Sequence, residues 1–461
     1  MANTNEELFE RTPIPQAVTK MMVPVILGSL VMVIYNLADT FFVGMLNDEI
    51  QSAAVSLAAP AMLAFNAVNN LFGTGTSSMM SRALGTKDFK AVRESASFGF
   101  YGSIFFSLLL SIGCFLFLEP LMILLGAQPA TLQATREYMM WAVVLGAVPS
   151  ILNSVLGYIV RAEGAALQGT LGAMSGCVLN IILDPFFIMP WGLGMGSAGA
   201  GCATFISNCV ACGYFFVYLI VNRSKTNIRL HPKHFKLSKK IVLGICGVGI
   251  PASIQNLLNV TGMTVMNNFV KSYGAAAVAA VGIAQKIYMV PMQIALGGTQ
   301  GIMPLVSYSY SARKSDRFKD CILFVAKIMV PAIALVALLG WVFAHPLIQL
   351  FIDNAEVVAY GVLFLRGFAA GLPFMLLDFL AVGVFQSVGM GGKSLVFALL
   401  RKIVLEIPAI VILNMLFHES GITYAGCVAE MVLAVVGVII LRKIIVDMGR
   451  QTAALEDIHE L

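Results

Sequence analysis

The stretch SASFGFYGSIFFSLLLSIGCFLFL, residues 95–118, runs between Glu94 and Glu119 without one charged side chain. At about 1.5 Å of rise per residue, a helix of this length exceeds the roughly 30 Å of hydrocarbon in a bilayer. Runs of this kind recur along the whole chain of 461 residues, 59% of which are hydrophobic and only 11% charged. A soluble protein of that size needs more charge to cover its surface. The chain therefore reads as an all-α polytopic membrane protein. Its first twenty residues, MANTNEELFERTPIPQAVTK, are polar and proline-containing, unlike a cleaved leader, so the apolar run from about Ala17 reads as a resident membrane helix.

Apolar runs set against their breaks predict twelve spans, near 17–46, 53–82, 94–118, 133–160, 167–190 and 196–222, then 239–270, 276–307, 320–345, 357–385, 394–417 and 421–446. Lys and Arg set their direction. Arg82, Lys87, Lys90 and Arg93 follow span 2, Arg161 follows span 4, and seven basic residues from Arg223 to Lys240 separate spans 6 and 7. Arg313, Lys314, Arg317 and Lys319 follow span 8, and the opposite loops hold little beyond Arg136 and Lys271. The positive-inside bias places both termini and the 6–7 loop in the cytoplasm of a multi-pass plasma (inner) membrane protein. With the basic residues distributed in this way, the net charge of +5 is no nucleic-acid footprint. The eight cysteines show no ligand spacing and read as small apolar-run residues rather than a metal site.

The two halves resemble each other. Residues 157–174, GYIVRAEGAALQGTLGAM, fall opposite 381–399, AVGVFQSVGMGGKSLVFAL. Gly196, Gly201 and Cys202 match Gly421, Gly426 and Cys427, while Pro149 pairs with Pro373 and Pro24 with Pro251. Six spans per half is an even number, so both halves keep one orientation. This predicts twelve transmembrane helices in two pseudo-symmetric six-helix bundles, a parallel repeat. The bundles are read as 1–222 and 241–461, joined by a basic cytoplasmic linker, 223–240, long enough for them to move.

Polar residues that break the repeat are the candidates for chemistry. Asp39, in YNLADTFFVG, has no acidic counterpart in TGMTVMNNFV. Asn180 and Asp184 lie four apart, on one face of a helix, and the matching positions Leu405 to Ala409 lack the aspartate. Thr204 matches Ala429. An intramembrane carboxylate is costly unless paired, protonated or wetted, and its ionisation responds to burial and to bound cations, which suits H⁺ or Na⁺ coupling. Asn180 and Thr204 supply neutral oxygens, and Na⁺ at the Asp39/Asp184 cluster is the one metal considered. Pro185 removes a helical N–H beside Asp184 and acts as a structural hinge. A static polar knot between helices explains the same residues. In the second half the polar candidates are Asp378, Gln255, Asn259 and Glu430. Glu406 is placed to pair with Arg401 or Lys402, and Glu430 with Lys286 or Arg366.

Met and Phe, 25 and 30 in number, can line a forgiving cleft for amphipathic cations. No Walker A, HExxH or triad context occurs, which argues against an ATP-driven pump or an enzyme. YNLADTFFVG in span 1, RALGTKD after span 2, RAEG after span 4 and NIILDP in span 5, in this order and with the half-repeat, resemble the multidrug and toxic compound extrusion (MATE) family over nearly the full length. The resemblance implies a secondary active antiporter that exports organic, often cationic compounds by alternating access. No cofactor is implied, and H⁺ or Na⁺ is the coupling ion. Relatives carry an ion-responsive cluster whose positions fall here on Asp39, Asn180, Asp184 and Thr204. Some use instead a span 7 glutamate with a span 10 aspartate, and this chain has Asp378 but no span 7 acid. The expected partners are amphipathic small molecules and membrane lipid, with no nucleic acid, and the transporter acts as a monomer. The alternative is a flippase or exporter of a lipidic or peptide-like metabolite.

Overall fold

The computed structural model describes residues 4–459, and side chains over 7–453. The described residues are mostly helical, without a strand, and most of them lie in helices long and apolar enough to cross a membrane. Spans 1 to 3 are Ile14–Gly44, Glu49–Gly85 and Phe89–Leu116. Span 4 is the pair Leu132–Leu145 and Ala147–Ala162, bent by 42°, and spans 5 and 6 are Ala166–Ile188 and Ser197–Val221. Spans 7 to 10 are Lys239–Lys271, Ala275–Ser311, Ser315–Val342 and Ala355–Ser387. The last helical stretch, Gly391–Ala453, is interrupted at His418 (φ 54°, ψ −135°) and supplies spans 11 and 12. Together these make the twelve crossings expected.

Polarity inside the opening stretch is inverted relative to a water-soluble helix. Ser95, Ser97, Ser103 and Ser107 are fully buried, while Phe105, Leu109, Ile112 and Leu116 are exposed along one face. Lipid is as apolar as leucine, so large side chains gain nothing by turning inward, and small residues let helices approach. Most of these serine hydroxyls find backbone carbonyls, with Ser103 donating to Phe100 at 2.8 Å and Ser111 to Val144 at 2.5 Å, while the Ser95 hydroxyl has no partner among the described residues. Helix starts are capped where the chain leaves the apolar layer. Asp48 accepts from the Ile50 N–H (2.8 Å) and Asp88 from the Ala91 N–H (3.0 Å). That Ala91 bond, aided by Lys240, holds the Asp88 carboxyl below its usual range.

The backbone repeats as the sequence does. Left-handed residues pair between halves about 225 positions apart: Asn47 with Gly274, Lys87 with Arg313, Gly164 with Gly389, and Gly196 with His418. Gly196 (57°, −134°) and His418 (54°, −135°) have nearly the same backbone geometry before the sixth span of each half.

The chain forms two compact units. Unit 1 contains Leu27–Ser253 with the segment ending at Glu10, and unit 2 contains Arg11–Ile26 with the segment starting at Ile254. The change of unit falls inside spans 1 and 7, shortly after Pro24 and Pro251, each of which removes a helical hydrogen bond.

The basic segment after span 6 is packed on unit 1. Buried Glu163 accepts from the Thr226 hydroxyl and from the Asn227 N–H (2.7 Å). The carbonyl of Arg229 accepts from Ser97 (2.6 Å) and that of Leu230 from Tyr101 (2.8 Å), while Phe235 stacks on Phe98 with centroids 6.1 Å apart. Burial pushes the Glu163 carboxyl above its usual range, opposed by the Thr226 and Asn227 bonds. The folded state thus holds this proton more tightly than the unfolded chain. Its contribution to stability is complete below the unfolded pKa and is lost as pH rises through the folded value. The unfolding temperature of the wild type minus that of Glu163→Gln, in detergent, should therefore fall as pH is raised from about 4 towards 7. A difference that grows with pH contradicts this account of Glu163.

Candidate functional site

Three helices of unit 1 bring the first-half candidates together. On span 1, Tyr35 and Asp39 are four residues apart and share a face, as Asn180 and Asp184 do on span 5. Asp184 is completely buried and Asn180 is 2% exposed. The Asn180 amide lies 3.2 Å from the Thr204 hydroxyl on span 6. With its nitrogen turned to Asp184 Oδ2 at 2.9 Å, the amide oxygen accepts from the Thr204 N–H (3.0 Å) and hydroxyl (3.2 Å), so every polar atom of the side chain is used. The Tyr35 hydroxyl bonds to Thr204, and Asp39 and Asp184 interact electrostatically.

Sequence reasoning missed Tyr35 and Tyr138. Buried Tyr138, from the first segment of span 4, feels both Asp39 and Asp184. Tyr35 was legible in principle, one turn before Asp39. Tyr138 gave no signal, because its place beside Asp39 and Asp184 depends on how span 4 packs across from spans 1 and 5.

Asp39 Oδ1 is buried without a hydrogen-bond partner among the described residues. Neither Asp39 nor Asp184 has a Lys or Arg partner among those residues. Two carboxylates without a fixed countercharge, flanked by an amide and a hydroxyl, are equipped to share a proton or hold a monovalent cation. Pro185 lies within the span 5 helix immediately after Asp184, and its carbonyl still receives the Met189 N–H at 3.2 Å. Its missing N–H leaves the Ile181 carbonyl without the usual helical donor, one turn from the carboxylate.

The second-half candidates separate. Buried Asp378 on span 10 and Glu430 on span 12 meet at Arg401 of span 11: Arg401 Nη1 is 3.3 Å from Asp378 Oδ2, and Nη2 bonds Glu430 Oε1. Glu430 therefore does not pair with Lys286 or Arg366. Lys286 is exposed, and Arg366 lies over the Trp341 ring (4.6 Å) and donates to the Trp341 carbonyl. Register decides this, since Arg401 occurs at the depth of both acids. Glu406 pairs with Lys402, its neighbour by one helical turn, at 2.5 Å. Gln255 on span 7 accepts from Gln386 at 3.2 Å, while Gln386 also donates to Ser394 at 3.1 Å. Asn259 is half-buried on the same span.

Comparison with known proteins agrees with this division into a repeat. The MatE family model matches the chain twice, over residues 24–186 and 251–412. The chain is 31% identical over 437 residues to the multidrug export protein MepA of Staphylococcus aureus strain NCTC 8325, covering 94% of each chain. It is 31% identical over 434 residues to MepA of Staphylococcus saprophyticus, again covering 94% of each. Among solved structures it is similar to a multidrug resistance MATE family transporter of the MOP superfamily in an outward-facing conformation. The TM-score is 0.90 at 26% identity, over 96% of this chain and 98% of that one. The chain belongs to the MatE family of multidrug and toxic compound extrusion transporters.

Proposed function

We propose that the protein is a secondary active antiporter that exports amphipathic organic cations in exchange for H⁺ or Na⁺. The single observation carrying the exchange is the Asp39–Asn180–Asp184–Thr204 cluster, two carboxylates with no basic partner among the described residues, in a membrane-spanning unit. Export of drugs is drawn from relatives named multidrug export proteins, and the amphipathic cationic class from the Met- and Phe-rich spans. The bundles 1–222 and 241–461 are the parts that alternate, acting within a monomer in the plasma membrane with both termini cytoplasmic. Supporting that orientation, the basic residues crowd one set of loops. Coupling requires that the ion bind the two access states with different affinities, since an ion bound equally by both shifts nothing.

The test is ethidium uptake into everted vesicles with a proton or a sodium gradient imposed separately. Uptake should require one of the two and stop when that one is collapsed. Uptake that persists with both dissipated would remove secondary antiport.

A further inference from the structure

The basic segment after span 6 is anchored by its backbone, which leaves most of its side chains uncovered. Ser97 and Tyr101, which hold the Arg229 and Leu230 carbonyls, and Phe98, which stacks on Phe235, belong to the first seven residues of the uncharged run in span 3. Seven residues are about 10 Å of helix, so residues 229–237 lie at the depth where headgroups give way to hydrocarbon. Two apolar side chains of this stretch are open, Phe235 at 39% and Leu237 at 73% exposure.

Basic groups are interleaved with them. The Arg229 guanidinium is fixed by three backbone carbonyls: Nη1 donates to Thr226 and Ile228 (both 2.8 Å) and Nη2 to Arg223 (2.9 Å). Its charge is thus held in place before any ligand arrives, and two of its five donors stay open. Arg93 Nε, near the start of span 3, is buried without a hydrogen-bond partner among the described residues. Burial, and after it the charges of Lys233, Arg93, His231 and Arg229, hold the His234 imidazole below its usual range, so these side chains crowd one place. The acids of this face are engaged elsewhere. Glu94 pairs with Lys236 at 3.7 Å and Asp88 with Lys240 at 3.1 Å, while Glu163 takes the Thr226 and Asn227 bonds.

We propose that Arg93, Arg229, Lys233 and His234 form a headgroup site for an anionic phospholipid, with Phe235 and Leu237 against its acyl chains. Guanidinium forks suit the phosphodiester, and basic residues next to a span attract anionic lipid. A free phosphate would use the cations and leave the two open apolar side chains without a role. The site depends on neither the coupling ion nor the cargo.

The experiment is thermal unfolding of the purified protein in neutral detergent with dioleoyl phosphatidylglycerol, phosphatidylcholine of the same chains, or glycerol 3-phosphate added. Phosphatidylglycerol at ten times its Kd should raise the folding equilibrium about tenfold, and the other two should not. The gain should disappear in the triple variant Arg93→Gln/Lys233→Gln/His234→Gln. It should persist in Lys393→Gln/Arg442→Gln/Lys443→Gln, which removes three exposed basic side chains from unit 2. If the first triple variant does not fold, Lys233→Glu, at an exposed position, should show the gain reduced. A gain that these unit 1 variants keep, or lose only as far as the unit 2 variant does, overturns the proposal. Equal stabilisation by phosphatidylcholine overturns it in favour of a general lipid effect, and by glycerol 3-phosphate in favour of a soluble-anion site.

Discussion

Asp184→Asn and Asp39→Asn, reconstituted into proteoliposomes, should each fold, bind ethidium and fail to export it against a gradient. An asparagine keeps the shape of the aspartate and an oxygen that can accept the Asn180 amide at Asp184, but it cannot titrate. Each unit of pH gradient is worth about 1.4 kcal/mol per exchanged proton, or tenfold accumulation, and an uncoupled variant forfeits all of it. The double variant should be little worse than either single one, because both disable one shared site. Asn180→Ala should displace the ion or pH dependence of export more than it lowers the amount of folded protein. If the cluster is only a polar knot, the order reverses: the variants accumulate poorly, and each surviving molecule exports normally. Transport normalised to folded protein separates the two. Full export by both single variants would end the coupling assignment.

Gly249→Ala should be the most damaging single methyl in unit 1. A Cβ there would come within 2.0 Å of the Leu71 carbonyl oxygen and 2.8 Å of its carbon. Both atoms belong to backbone in the π-helical turn Asn70–Thr74 of span 2, so no side chain can move aside. The two helices are clipped nearby as well. Ser253 donates to the Ala67 carbonyl at 2.6 Å, and Arg82 to the Gly244 carbonyl at 3.2 Å. Overpacking of this kind costs about 2–3 kcal/mol. Gly247, two residues earlier in the same helix, has nothing within 4 Å of a Cβ. Gly247→Ala should therefore be neutral or stabilise by up to about 1 kcal/mol through helix propensity. Thermal unfolding of both variants in detergent decides, and equal unfolding temperatures would refute the close-approach argument.

The crossings, their number and the half-repeat were legible in the sequence alone, because each is a property along the chain. Span length follows from uncharged runs such as 95–118, and the repeat from glycines and prolines such as Gly196/Gly421 and Pro24/Pro251. The face shared by Asn180 and Asp184 was legible for the same reason, as helical spacing alone sets it. What lies across from a helix face was not. Rotation about the axis and axial register set inter-helix contacts, and spacing constrains neither. Tyr138 therefore joined the Asp39 cluster unannounced, and Glu430 took Arg401 in place of Lys286 or Arg366. The docking of Thr226 and Asn227 on Glu163 pairs groups more than 60 residues apart, and only the packed chain brings them together. His418 gave the weakest signal of all. A positive φ belongs by default to glycine, which the first half uses at Gly196, whereas the second half adopts it at His418, three residues before the glycine that matches Gly196 in sequence.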